Sequence, residues 1–401
     1  MLKGKNVILG VTGGIAVYKA ADLVSRLIKE GASVDVIMTE SAQKFVTPLT
    51  FQTMAQSKVH TDLFGLLDYV DVEHITLAKK ADVIVVAPAT GNTIAKIANG
   101  VADNMLTTVI LASTAKIIFA PAMNTNMFLN PITQENIKKL EALGHEFVPP
   151  GEGRLACGDI GPGKMAEPAD IVEYIRFSLV EKDMTGKKVI VTAGPTIEPL
   201  DPVRYITNHS SGKMGYAIAR EAASRGAETI LISGPTSIPE PKGVKVIKVD
   251  TTQNMLDAIG EYFDACDILI KAAAPSDFKP ERVSTTKIKK IPGDNSGITV
   301  KFDKNPDIAA YYGQKKTNQI IIGFAAETDN ILEYASRKLK EKNLDFIVAN
   351  DVTMKGAGFK GDTNIATIIE NNGQQTQYPI MSKDQLSKEI LNKAMEIIKN
   401  K

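Results

Sequence analysis

The chain writes the opening of an α/β domain twice. Residues 5–31 read as a strand (Asn6 to Gly10), a glycine turn (Val11-Thr12-Gly13-Gly14) and a helix stopped at Gly31. Residues 187–226 repeat the plan: a strand from Lys188 to Thr192, the turn Ala193-Gly194-Pro195, a long loop ending in Asn208-His209-Ser210-Ser211-Gly212-Lys213-Met214-Gly215, and a helix stopped at Gly226. A strand feeding a glycine-rich turn and a helix N-terminus offers backbone N–H groups and a positive dipole end to phosphate. Two such starts imply two phosphate-bearing ligands on one polypeptide.

A chain of 401 residues is too long for one core, and two domains of about 200 residues follow. The boundaries expected are 1–180 and 186–401, joined through the polar stretch Glu181 to Gly186. Charge is balanced, 47 basic against 46 acidic side chains, so no polyelectrolyte partner is implied. Without a basic face or interleaved aromatics, a nucleic-acid binder is disfavoured. Cys157 and Cys266 lie far apart, which suits a reducing compartment rather than a disulfide scaffold. His60, His74, His145 and His209 form no metal-binding spacing with them, so a built-in zinc site is not expected. Magnesium carried by substrate phosphates stays open. No signal-like segment is evident, and no apolar run reaches about 18 residues. A soluble, cytoplasmic protein is expected.

The first half alternates strands (6–10, 33–38, 82–87, 116–120, 146–148) with helical patterns at 16–29, 73–80, 92–112 and 131–143. Apolar runs such as Val83-Ile84-Val85-Val86 mark parallel strands buried on both faces. The second half places strands at 188–192, 228–232, 244–248, 267–271, 319–323 and 345–348, with helices near 212–225, 252–263, 306–312 and 330–341, then a strand pair (365–369, 376–380) and a helix from Lys383. The fold class expected is α/β, two Rossmann-like doubly wound domains with ligands at the carboxyl ends of the strands. Residues 149–168, crowded with proline and glycine, read as a surface loop or a lid carrying Cys157. Residues 282–300 read as a mobile basic excursion.

The first glycine turn lacks full GxGxxG spacing. Glu40, after the second strand, could hold the ribose of NAD, whereas Thr39 and Ser41 could donate to the single phosphate of a mononucleotide such as FMN. Read alone, His74 is also a helix-start histidine, the Pro121 to Asn124 stretch a capped turn, and Met123 and Met127 core filler. Lys287-Ile288-Lys289-Lys290 is equally a solvated loop, and Lys338 with Lys342 a surface pair on one helix face.

Taken together, the glycine turn, His74, Pro88 to Thr93, Pro121 to Met127 and Cys157-Gly158-Asp159 resemble the homo-oligomeric flavin-containing cysteine decarboxylases (flavodoxin-like flavoproteins). Ala193 to Thr196, Asp201 to Gly215, Ala274 to Asp277, Lys287 to Lys290, Asn305 to Ile308, Gly323 to Thr328 and Ala349 to Val352 are similar to phosphopantothenate–cysteine ligase. In this order they resemble the bacterial bifunctional proteins of coenzyme A biosynthesis over nearly the whole chain. Two departures, Pro-Ala-Thr-Gly-Asn-Thr at 88–93 and Phe128 where some relatives have Trp, remove no proton-transfer or hydrogen-bonding group.

The resemblance implies a ligase that joins 4'-phosphopantothenate to cysteine through an acyl-cytidylate, and a decarboxylase that takes the product to 4'-phosphopantetheine. It implies FMN around Gly13, Gly14, Ile15, Thr39, Ser41, Phe45, Ala89, Thr90 and Asn92, with His74 as base or orienting group, Asn124 on the substrate carboxylate and Cys157 as proton donor. For the ligase it implies Asn208 on the acyl intermediate, Lys287 on phosphate, and CTP with Mg²⁺ held by Ala272, Ala273, Asp277, Pro306, Asp307, Ile308, Ala309, Phe324, Lys338 and Lys342. It also implies a homo-oligomer, trimeric through the first domain and dimeric through the second, closing as a dodecamer. Two other readings compete: a two-domain NAD(P) oxidoreductase resting on Glu40, and a flavin-binding regulatory subunit. The second has no use for His74, Asn124 and Cys157.

Overall fold

The computed structural model describes residues 2–64, 72–155, 158–289, 298–327, 331–351 and 361–400. Cys157 and Lys290 lie outside the described residues, as do Thr328 and Val352. The chain forms two compact units, Met1–Val180 and Glu181–Lys401.

The first unit is built on six parallel strands in the order Val59–His60, Ser33–Met38, Asn6–Val11, Val83–Ala89, Lys116–Pro121, Glu146–Phe147. The order reverses between Asn6–Val11 and Val83–Ala89, and a crevice opens at their carboxyl ends. Both faces are buried, which is why the strands are apolar without alternation. Val7 and Leu9 face the helices Val17–Lys29 and Pro168–Leu179, while Ile8, Ile84 and Val86 face Gly91–Ala98 and Met105–Ala112. The helix Val17–Lys29 buries Leu23, Val24 and Leu27 completely, each contributing about 1.5–3 kcal/mol. Truncating Leu23 to alanine would cost roughly 2–5 kcal/mol.

Two expectations for this half need correction. The helical pattern 92–112 is two helices, because Gly100 turns left-handed (φ 69°) and Asn104 starts the second helix with a capping box closed by Thr107. The proline- and glycine-rich stretch 149–168 is not an irregular loop. Gly151–Arg154 and Ile160–Lys164 pair antiparallel, and the hairpin is anchored where Met123 N–H donates to Gly163 C=O at 3.0 Å. A Cβ on Gly163 would fall 2.3 Å from the carbonyl oxygen of Met123, so only glycine permits this close approach.

The second unit carries an eight-stranded sheet in the order Val244–Lys248, Glu228–Ser233, Lys188–Ala193, Ile268–Lys271, Ile320–Glu327, Phe346–Asp351, Ala366–Glu370, Gln375–Gln377. The first six run parallel, and the last two add antiparallel strands under the C-terminal helix Lys383–Asn400. The reversal falls between Lys188–Ala193 and Ile268–Lys271. Its helix Lys213–Ser224 lies close on the first strand because Gly215 has no Cβ, which would come within 2.6 Å of Ala193 Cβ. The long loop expected before Asn208 contains a hairpin, Ile197–Pro199 paired with Tyr205–Thr207. The basic excursion is closed at its base by Phe278–Pro280 pairing with Phe302–Lys304, and residues 290–297 lie outside the described residues.

Candidate functional site

At the switch point of the first unit lies a cavity of 1020 Å³. Gly13, Gly14, Ile15, Thr39, Ser41, Thr90 and Asn92 line it, together with Met123, Asn124 and Met127. The local folding follows from short side chains. Thr12 Oγ1 donates to Pro88 C=O at 2.7 Å and accepts from Thr90 N–H at 3.1 Å, tying the ends of the two switch-point strands together. Thr39 and Thr90 each cap a helix that starts at the cavity, accepting from Ala42 N–H and Thr93 N–H. A Cβ on Gly13 would sit 2.3 Å from Ser41 Cβ, so glycine lets the turn close onto the short helix Glu40–Gln43 that carries Ser41, while Gly14 meets nothing nearer than 3.8 Å. Helix starts, hydroxyls and an open glycine turn fit a ligand with one phosphate and a large planar ring.

Asn124 sits at this cavity and caps the short helix Thr125–Leu129. Its Oδ1 accepts from Asn126 N–H at 2.8 Å, which leaves Nδ2 to donate, at 2.6 Å, to Asp159 Oδ2. The capping bond fixes the amide's orientation, so its donor end is the one offered to a carboxylate. Two expected flavin residues are elsewhere: Ala89 is wholly buried in its strand, and Phe45 is half exposed outside the cavity lining. His74, half-buried in the first turn of Glu73–Lys80, does not line the cavity of its own chain. Its neighbour Glu73 is held by His60 Nδ1 at 2.8 Å and Lys58 Nζ at 3.0 Å. Burial pushes the Glu73 carboxyl up, but these two partners outweigh it and hold the group below the usual carboxylate range. Sequence reasoning missed Lys19, Asn104 and Arg154, which also line the cavity. The capping-box spacing of Asn104 and Thr107 was a readable signal for one of them.

In the second unit Asn208 lines a smaller cavity of 250 Å³ and donates to Pro275 C=O at 3.0 Å, joining two of the expected motifs. Ala273 N–H donates to Thr192 Oγ1 at 3.2 Å, which fixes the backbone after Ile268–Lys271. Asp307 caps the helix Ile308–Lys315 through Ala310 N–H and accepts from Lys342 Nζ at 2.9 Å. Burial raises the Asp307 carboxyl, and Lys342 with the cap overcomes this and lowers it. Pro306, Ile308 and Ala309 therefore stand with Lys342, and Asp277 C=O accepts from Asn305 N–H beside them. Lys338 and Lys342 do not share one helix as expected: Ile331–Glu341 ends one residue short of Lys342, because Asn343 turns left-handed (φ 49°). Lys342 N–H still donates to Lys338 C=O. Phe324 and Ala272 pack on the opposite core from Ile308 and Ala273. Lys287 is exposed, on a segment docked by Ile288 N–H to Asp201 Oδ2 and by Arg204 to Ile288 C=O. The Arg204 guanidinium, with nearby backbone N–H groups, holds the sealed Asp201 carboxyl far below its ordinary value. Among the described residues no three His, Cys, Asp or Glu side chains stand together as a metal site, and no helix is long and apolar enough to cross a membrane.

A ligand crevice at the switch point of one doubly wound unit, followed by a second such unit, defines a two-domain α/β protein of the nucleotide-binding type. Residues 1–179 match the flavoprotein family model, and residues 184–398 match the DNA/pantothenate metabolism flavoprotein C-terminal domain. The chain is 49% identical over 403 residues to the coenzyme A biosynthesis bifunctional protein CoaBC of Bacillus subtilis, covering 100% of this chain and 98% of that one. The CoaBC proteins of Vibrio cholerae and Escherichia coli are 44% and 43% identical, each over 98% of this chain and over 98% and 97% of their own. A crystal structure of a CoaBC C-terminal domain is 38% identical over 54% of this chain and 98% of that one, with a TM-score of 0.47. The chain belongs to the CoaBC family of bifunctional coenzyme A biosynthesis proteins. The NAD(P) reading falls with the flavoprotein match, and the Glu40 carboxylate is an exposed partner of Lys44.

Proposed function

We propose that the chain joins 4'-phosphopantothenate to cysteine at the expense of CTP and then decarboxylates the product to 4'-phosphopantetheine with FMN. The observation that carries this reading is the likeness to CoaBC relatives across the entire chain, both halves in the same order. When bound, FMN supplies the two-electron chemistry that gives the departing carboxylate's electrons somewhere to go. The chain's part is binding, orientation and proton movement. Thr39, Ser41 and the Gly13-Gly14 turn hold the phosphate, and Met123 and Met127 give an apolar wall to the ring. Asn124 Nδ2 receives the substrate carboxylate, for which the Asp159 carboxylate stands in. Cys157 delivers the last proton. His74, which is not in the lining of its own chain's cavity, would reach the reacting carbons from a neighbouring subunit.

In the ligase half the pantothenate carboxylate attacks the α-phosphorus of CTP, pyrophosphate leaves, and cysteine's amine displaces CMP from the acyl-cytidylate. Lys287 offsets charge on the phosphates, Asn208 holds the acyl group, and Mg²⁺ arrives with the nucleotide rather than in a prebuilt cage. The first unit is read as a trimer on the family likeness; it exposes Leu49, and at the cavity Ile15 and Tyr18, more than 60% each, apolar surface that another copy can cover. Pairing of the second units would close a dodecamer in the cytoplasm. Incubation with 4'-phosphopantothenate, cysteine and CTP should yield pyrophosphate, carbon dioxide and 4'-phosphopantetheine. Absence of all three refutes the reading, and a sedimentation mass of one or two chains refutes the assembly.

A further inference from the structure

The strand Ile268–Lys271 alternates faces, so Lys271 shares the side of Leu269, against the core that contains Ile308 and Leu339. Leu269 is wholly buried and Lys271 only 9% exposed. A lysine so placed is ordinarily paired. Lys271 makes no hydrogen bond or ion pair among the described residues and senses Asp307, Lys342 and Asp277 only through space. Asp307 is not free to pair with it, being committed to Lys342 Nζ at 2.9 Å and Ala310 N–H at 3.1 Å. Burial, only partly offset by Asp307, holds the amine down to about 8. A donor without a partner thus stands, nine-tenths buried, at the carboxyl end of a switch-point strand.

The charges around it decide what it can take. Lys271 and Lys342 against Asp277 and Asp307 sum to zero, so this corner has no surplus cation for a phosphate. It suits an uncharged group rich in acceptors. We propose that Lys271 is a specificity-determining residue of the ligase half, donating to the 2-keto oxygen of a pyrimidine nucleotide. The inference rests on the nucleotide-dependent ligase reading above. Cytosine and uracil present that oxygen, whereas adenine has no exocyclic oxygen and would leave the buried ammonium unpaired.

The test uses the full-length protein and follows pyrophosphate release with CTP, UTP and ATP. Lys271→Met should lower kcat/KM for CTP and UTP in parallel by about 10- to 100-fold, the worth of a hydrogen bond to a charged donor. ATP-supported turnover should hold or rise, since no ammonium is left unpaired beneath adenine, and the KM for cysteine should stay unchanged, which also reports that the unit is folded. Lys271→Gln keeps an N–H donor and should retain most of the pyrimidine preference. Equal losses with CTP and ATP, or unchanged CTP kinetics in Lys271→Met, would overturn the assignment while leaving the ligase reading standing. A wild-type protein that releases no pyrophosphate with any nucleotide would overturn the ligase reading itself.

Discussion

The most direct probe of the flavin crevice is Gly13→Ala. The added Cβ would lie 2.3 Å from Ser41 Cβ and 2.9 Å from Ser41 C, and the second of these is backbone, which cannot swing aside. Either the glycine turn or the helix carrying Ser41 must move, and overpacking of this kind costs about 1–3 kcal/mol. Both segments line the cavity, so the displacement falls on the ligand site. If the full cost opposes binding, FMN affinity drops roughly 5- to 150-fold. Part of it will also show in the melting of the first domain, at roughly 2–4 °C per kcal/mol. Fluorescence titration of the apoprotein with FMN measures the first quantity and calorimetry the second. Gly14→Ala is the matched control: its Cβ meets nothing nearer than 3.8 Å, so the domain should melt as wild type. Pyrophosphate release by the second unit should be untouched in both. If Gly13→Ala binds FMN with wild-type affinity and melts unchanged, the steric argument is refuted.

Asn124→Ala removes the amide donor that the cavity turns to the Asp159 carboxylate, so decarboxylation should fall by about 100-fold or more while FMN stays bound, as absorbance and product mass will show. Lys342→Met strips Asp307 of its partner, and KM for CTP should rise about 10-fold in initial-rate assays. The Asp201 carboxyl is depressed in the folded chain, so its stabilisation is complete above about pH 4 and is lost as pH falls towards its folded value. Melting scans should therefore show Asp201→Asn less stable than wild type at pH 7, with the gap closing in acid; a constant gap would count against the Arg204 pairing. Cys157→Ser should release one carbon dioxide per site and then stall, because a hydroxyl is too weak an acid for the final protonation; normal turnover would remove the cysteine from the mechanism.

Both sheets were legible from the chain's own pattern. Runs such as Val83-Ile84-Val85-Val86 and Ile268-Leu269-Ile270 can only be satisfied by burial on both faces, and the glycine turns fix where the helices begin. The capping roles of Thr39 and Thr90 were not read: both were expected at the flavin, and the structure has each also capping the helix beside which it is written. The hairpin at 151–164 was not legible, because glycine-rich segments carry no alternating pattern and gain their pairing from Met123 and Thr125 far back in the chain. Contacts across the fold were equally hidden. That Asn124 turns its donor outward depends on Asn126 and Asp159, and that Phe324 leaves the company of Lys342 depends on which face of the sheet each residue's strand or helix presents. Lys271 is the sharpest case. In the sequence it is one lysine ending an apolar strand, and only the packing around Ile308 and Leu339 makes its charge buried and its donors unpaired. Periodicity dictates which way a side chain points along its own element, whereas the dielectric and the partners it meets there are set by residues that the chain brings in from elsewhere.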